Sequence, residues 1–180
     1  MRWTRFTFLS VALLLVSPVT PCRADLEGGL RAYERHDYQA AFEEFRQLAE
    51  QGDSIAQLML GNMYVGGKGI TQHYAEAAQW FREAADQRNS VAQVNLGYMY
   101  AQAQGVVQKD DAEAAHWFHE AADQGNARAQ FNLGLIYAQG HGVPQNYTKA
   151  RQWYWLAADR GNVSAQVNLA LLYGKWQGIL

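Results

Sequence analysis

His116, His119, Glu120 and Asp123 come nearest to reactive chemistry in this sequence. Spaced i, i+3, i+4 and i+7, they share one helix face, and imidazole and carboxylate are ordinary zinc ligands. A metal held by His116, His119 and Asp123 would make the chain a metal-responsive binding protein. Zinc takes three or four convergent ligands, however, and a single helix rarely supplies them alone. The corresponding positions elsewhere read Gln79, Arg82, Glu83 and Asp86, then Gln152, Trp155, Leu156 and Asp159. A solvated face accounts for that variation, so no metal is assigned and no cofactor is expected.

No Ser-x-x-Lys, Gly-x-Ser-x-Gly, phosphate loop or dinucleotide fingerprint occurs, and no catalytic residue is assigned. Asp86, Asp123 and Asp159 recur at one position of the period. Repetition points to a structural role at a turn, because a general acid needs a single special environment. A hydrolase or transferase acting on envelope glycan or peptide remains the alternative to a non-enzymatic reading.

What positions these side chains is a repeat. AQLMLGNMY at Ala56, AQVNLGYMY at Ala92, AQFNLGLIY at Ala129 and AQVNLALLY at Ala165 start 36, 37 and 36 residues apart. Units of that length cannot bury their own apolar faces and must stack into an elongated array. In the third unit, Glu113 to Gln124 reads as helix A, with Ala114, Trp117, Phe118, Ala121 and Ala122 on one stripe. Gly125 ends that helix in the left-handed region, and Asn126 caps helix B.

Gly52-Asp53, Arg88-Asn89 and Gly161-Asn162 repeat the pair, so Arg88 must either take positive φ or use another turn. Gly61, Gly97 and Gly134 sit inside helix B, where glycine costs ~1 kcal/mol against alanine unless close contact requires it; Ala170 holds the place in the last unit. Glycine-rich turns at Gly66 to Gly69, Gln104 to Val106 and Gly140 to Pro144 separate the units. Leu26 to Glu34 reads as an unpaired helix B, giving nine helices: a capping helix over 25–37, then repeats at 38–73, 74–109, 110–146 and 147–180, the last truncated.

Residues 1–24 read as a secretory signal. Arg2 and Arg5 precede the apolar run Phe6 to Val16, with small residues around a cut after Ala24. The run is far shorter than the roughly 20 residues a spanning helix needs. Cleavage leaves 12 basic and 17 acidic residues, a charge of −5, which argues against nucleic acid. The single cysteine, Cys22, would leave with the signal, so the mature chain forms no disulfide. A bacterial periplasm is the expected compartment, with secretion or lipid anchoring at Cys22 as alternatives.

Helix A as AAQWFREAADQ or AAHWFHEAADQG, followed by AxAQxNLGxxY and a glycine turn, resembles the Sel-one-like repeat family, relatives of the tetratricopeptide repeats. The likeness covers residues 38–180, and the first unit departs most, with Glu44 where the others have Trp80, Trp117 and Trp153. The resemblance implies an all-α, right-handed solenoid of antiparallel helix pairs and an adaptor that binds a protein or peptide. Exported bacterial members include periplasmic regulators that hold a membrane sensor. Some cysteine-rich relatives have been linked to penicillin binding, but this chain lacks their cysteine pairs.

On such a scaffold, positions that vary while their neighbours repeat are candidates for recognition. Arg82, His119 and Trp155 occupy one equivalent site and should line a column, with Gln79, His116 and Gln152 beside them. An ordinary solvated face is the plainer account of the same positions. Trp80, Trp117 and Trp153 read as core rather than as a carbohydrate platform, because their placement is identical in each unit. Trp155 and Trp176 either cover an open end or meet a partner.

Overall fold

The computed structural model describes residues 25–105 and 108–176, with side chains through residue 174; the signal reading of residues 1–24, Cys22 and the side chain of Trp176 lie outside them. Nine α-helices and no strand occur among the described residues: α1 (Leu26–Glu34), α2 (Tyr38–Glu50), α3 (Ser54–Gly66), α4 (Tyr74–Asp86), α5 (Ser90–Gln102), α6 (Asp111–Asp123), α7 (Ala127–Gln139), α8 (Tyr147–Asp159) and α9 (Val163–Trp176). Each packs on its neighbours in the chain, with the most extensive contact between α1 and α2, α3 and α4, α5 and α6, and α7 and α8. The result is an α-solenoid with four successive clusters of buried side chains.

Local chemistry sets the helix ends. Asp53, Asn89 and Asn126 each accept amides of the following turn, and Gly52, Gly125 and Gly161 take positive φ before their caps. Arg88 adopts the same left-handed conformation at φ 64° in place of a glycine. Ala103 does likewise at φ 56°, where α3 and α7 end on Gly67 and Gly140. Helix α6 begins two residues before the expected Glu113, because Asp110 Oδ1 accepts the amides of Ala112 and Glu113. In α4 the cap is His73, whose Nδ1 accepts the Glu76 amide at 3.2 Å.

The mid-helix glycines are where aromatic rings of the next helix arrive. A Cβ at Gly61 would lie 2.4 Å from Phe81, one at Gly97 2.9 Å from Phe118, and one at Gly134 2.3 Å from Tyr154. The helix propensity lost at each glycine is offset by burial of a whole aromatic side chain, about 1.5–3 kcal/mol. Gly29 stands against Phe45 at 2.7 Å in the same way, so α1 does act as a B-type helix. Trp117 is buried, while Trp80 and Trp153 are half-buried, each against the core of the preceding unit.

Amides tie the helices together, both within a unit and from one unit to the next. Gln57, Gln93 and Gln130 are buried, and their Nε2 groups donate to the carbonyls of Ala49, Ala85 and Ala122 near the end of the preceding helix. The caps Asn89, Asn126 and Asn162 use Nδ2 as well, donating to Ser54 O, Ser90 Oγ and Ala127 O of the previous B helix. An aspartate caps equally well but has no such donor, and it is Asp53, in the first full unit, that carries the carboxylate. The A-to-B turn is therefore built by backbone bonds and asparagine caps. Asp123 instead pairs with His119, and Asp86 and Asp159 are exposed.

Candidate functional site

Three A helices, α4, α6 and α8, each present a variable side chain beside aromatic rings, whereas Arg46 of α2 pairs with Glu43 and Glu50. Arg46, Arg82, His119 and Trp155 lie on α2, α4, α6 and α8, and 18 residues after each comes a tyrosine at the end of the B helix: Tyr64, Tyr100, Tyr137 and Tyr173. The Arg82 guanidinium donates to the Tyr100 hydroxyl and sits 5.7 Å and 5.9 Å from the ring centres of Tyr100 and Trp117. His119 meets Trp153 edge to face at 5.4 Å. These are cation–π and aromatic contacts worth roughly 0.5–1 kcal/mol at exposed positions.

The predicted residues divide between two depressions. Gln79 and Arg82 line one of 530 Å³, together with Tyr100, Lys109 and Asp110. His119, Gln152 and Trp155 line a second of 670 Å³, with Tyr137, Lys149, Arg151 and Tyr173. His116 lines neither: its ring lies edge-on to Trp117 at 5.2 Å. The tyrosines end the repeated string and are not among the residues the sequence singles out. Their constant offset from the variable position was the available signal.

Charge changes along the array at the helix starts. Glu76 and Glu113 stand in the first turns of α4 and α6; the equivalent residue of α8 is Lys149, whose first turn carries no acid. Lys149 Nζ lies 5.0 Å from the Tyr137 ring centre. At the other end, burial and then the nearby Glu76 push the Tyr64 phenol above its usual range, with Arg46 opposing. The Arg46 guanidinium is itself raised by its hydrogen bond to Glu43 and by the charges of Glu43 and Glu50.

The metal candidates do not converge. His119 Nδ1 lies 3.2 Å from Asp123 Oδ2 and His116 is turned toward Trp117, and no group of three or more such ligands could hold an ion among the described residues. Nor is any helix among them long and apolar enough to cross a membrane.

The model of the Sel1 repeat family matches residues 26–53, 54–89, 90–126 and 127–162, cutting the period ahead of the B helix rather than the A helix. Among solved structures, a protective antigen of uropathogenic Escherichia coli displaying an SLR fold is 40% identical at a TM-score of 0.81, over 83% of this chain and 33% of that one. A Sel1 repeat protein from Oxalobacter formigenes is 31% identical at 0.80, over 87% and 64%. The chain thus spans about a third of the first and under two thirds of the second. Helicobacter pylori cysteine rich protein B, 22% identical at 0.59 over 74% and 95%, shares the fold alone. No curated protein matches in sequence.

Proposed function

Because the chain belongs to the Sel1 repeat family, we propose that it is an exported, non-enzymatic adaptor, resident in a bacterial periplasm, that holds a protein or peptide on the A-helix face. The observation that supports this most is the repeated cradle: a tyrosine of fixed position that shares a depression with a side chain changing from Arg82 to His119 to Trp155. A fixed ring with a variable neighbour is what a recognition surface on a repeat scaffold requires, since stacking fixes the one and leaves the other free to vary. The depressions are open and bring aromatic and cationic groups together rather than a pair of carboxylates set for acid–base work.

Replacing Arg82, His119 and Trp155 together with alanine should abolish capture of the partner from the organism's own envelope fraction while the circular dichroism stays unchanged. Equal capture by this variant would reject the face. Fractionation of tagged cells tests export separately: an uncleaved chain retained in the cytoplasm would overturn that part.

A further inference from the structure

The last cradle differs from its predecessors in three ways at once. In the earlier units a polar column residue packs against aromatic rings: Arg82 on Tyr100 and Trp117, His119 on Trp153. At the end of the array the column residue is itself an indole, and Trp155 and Tyr173 remain 56% and 44% exposed. Lys149 then stands where Glu76 and Glu113 stood, and Arg151 where Ala78 and Ala115 stood. No aspartate or glutamate is among the described residues lining the depression; Asp123, outside that lining, is engaged by His119. A chain with more acidic than basic residues has therefore gathered cations around uncovered aromatic surface at one place.

We infer that this depression takes an acidic peptide segment carrying an apolar side chain, a carboxylate meeting Lys149 and its apolar group seating against Trp155 and Tyr173. The inference rests on the adaptor reading above and names the class of partner. Charge complementarity selects the acid, since cations fixed beside a low-dielectric aromatic wall favour an anionic ligand over a neutral one. Leu156 beside the two indoles Trp153 and Trp155 selects a hydrocarbon side chain over a sugar. A sugar would call for paired amides and carboxylates to bind its hydroxyls, and Gln152 is the one side-chain amide among the described residues of the lining.

Fluorescence anisotropy of the purified chain tests this with a fluorescein-labelled peptide of alternating Glu and Leu, its Gln and Leu counterpart, and polygalacturonate as a sugar polyanion. The acidic peptide should bind at least tenfold more tightly than the neutral one, and K149E and W155A should each weaken it about tenfold, while R35A, at an exposed residue just after α1 and outside both depressions, leaves it unchanged. K149Q serves as a second charge variant, and circular dichroism reports folding in every case. Equal binding of both peptides, with loss in W155A, overturns the acidic preference and leaves the adaptor standing. Tighter binding of polygalacturonate than of either peptide, or binding indifferent to K149E and K149Q, overturns the inference. If neither peptide binds, the inference fails, and capture by the column variant still decides the adaptor reading.

Discussion

Gln124 donates through Nε2 to the side-chain oxygen of Gln93 at 2.7 Å, and Gln87 stands in the same relation to Gln57, also at 2.7 Å. Each pair joins the end of an A helix to the buried glutamine of the B helix before it. At the third rung the donor is replaced. Arg160 occupies the position of Gln124, its Nη1 donates to Leu156 O at 3.3 Å, and the buried Oε1 of Gln130 is left without a partner.

Restoring that rung should stabilise the fold. Arg160→Gln is expected to raise stability by about 1 kcal/mol, the net value of one hydrogen bond made to an otherwise unsatisfied buried acceptor. Gln93→Leu should lower it by more, because it strands the Ala85 carbonyl on one side and takes the acceptor from Gln124 Nε2 on the other. Urea denaturation of the three proteins checks this; an unchanged or lower midpoint for Arg160→Gln would reject the rung.

The glycine and aromatic contacts predict opposite outcomes for two similar substitutions. Gly134→Ala should destabilise by about 2 kcal/mol, since overpacking against the buried Tyr154 ring outweighs the gain in helix propensity. Ala170→Gly should cost about 1 kcal/mol, the propensity alone, because Ala170 is exposed. Thermal melts of both variants decide it, and a stabilised Gly134→Ala would contradict the contact.

Arg88 and Ala103 hold left-handed backbone that glycine adopts without strain. Arg88→Gly and Ala103→Gly should each raise the melting temperature, by up to about 1 kcal/mol of stability offset in part by glycine's greater freedom when unfolded. A lower melting temperature in either would mean that the strain is relieved elsewhere.

Burial pushes the Tyr154 phenol up to about 12 from its ordinary 10.0. The unfolded chain then releases this proton first, so stability falls as pH rises from 10 toward 12 and is unaffected by this group below pH 10. Tyr154→Phe should reduce the loss seen between pH 9 and pH 11.5 in urea midpoints measured at about half-unit steps. Identical pH profiles would show that the ring is not desolvated.

The sequence showed what repetition makes visible. Four near-copies fixed the period, the turn pair at Gly125-Asn126 and the packing role of Gly134, because each demands one residue type in every unit. It hid what depends on a partner some 31 residues away. Nothing in the sequence pairs Gln93 with Gln124 until α5 and α6 are brought together. Grouping the face from one helix alone also set His116 beside His119, although the structure turns His116 toward Trp117 and leaves it outside the depression that His119 shares with Trp155. Lys149 and Arg151 escaped notice for a related reason: each is ordinary by itself and unusual only against the Glu113 and Ala115 of the unit before.

The cap and turn amides point the same way, from a later helix back to an earlier one: Asn126 to Ser90, Gln124 to Gln93, Asn162 to Ala127; Gln57 also donates forward, to Glu83. The array consequently has a grammar of succession, in which every hairpin completes the one already laid down. Shortening it from the far end leaves bare oxygens, which water satisfies readily, whereas shortening it from the near end strands amide hydrogens. Growth and trimming at the two termini are therefore unequal operations.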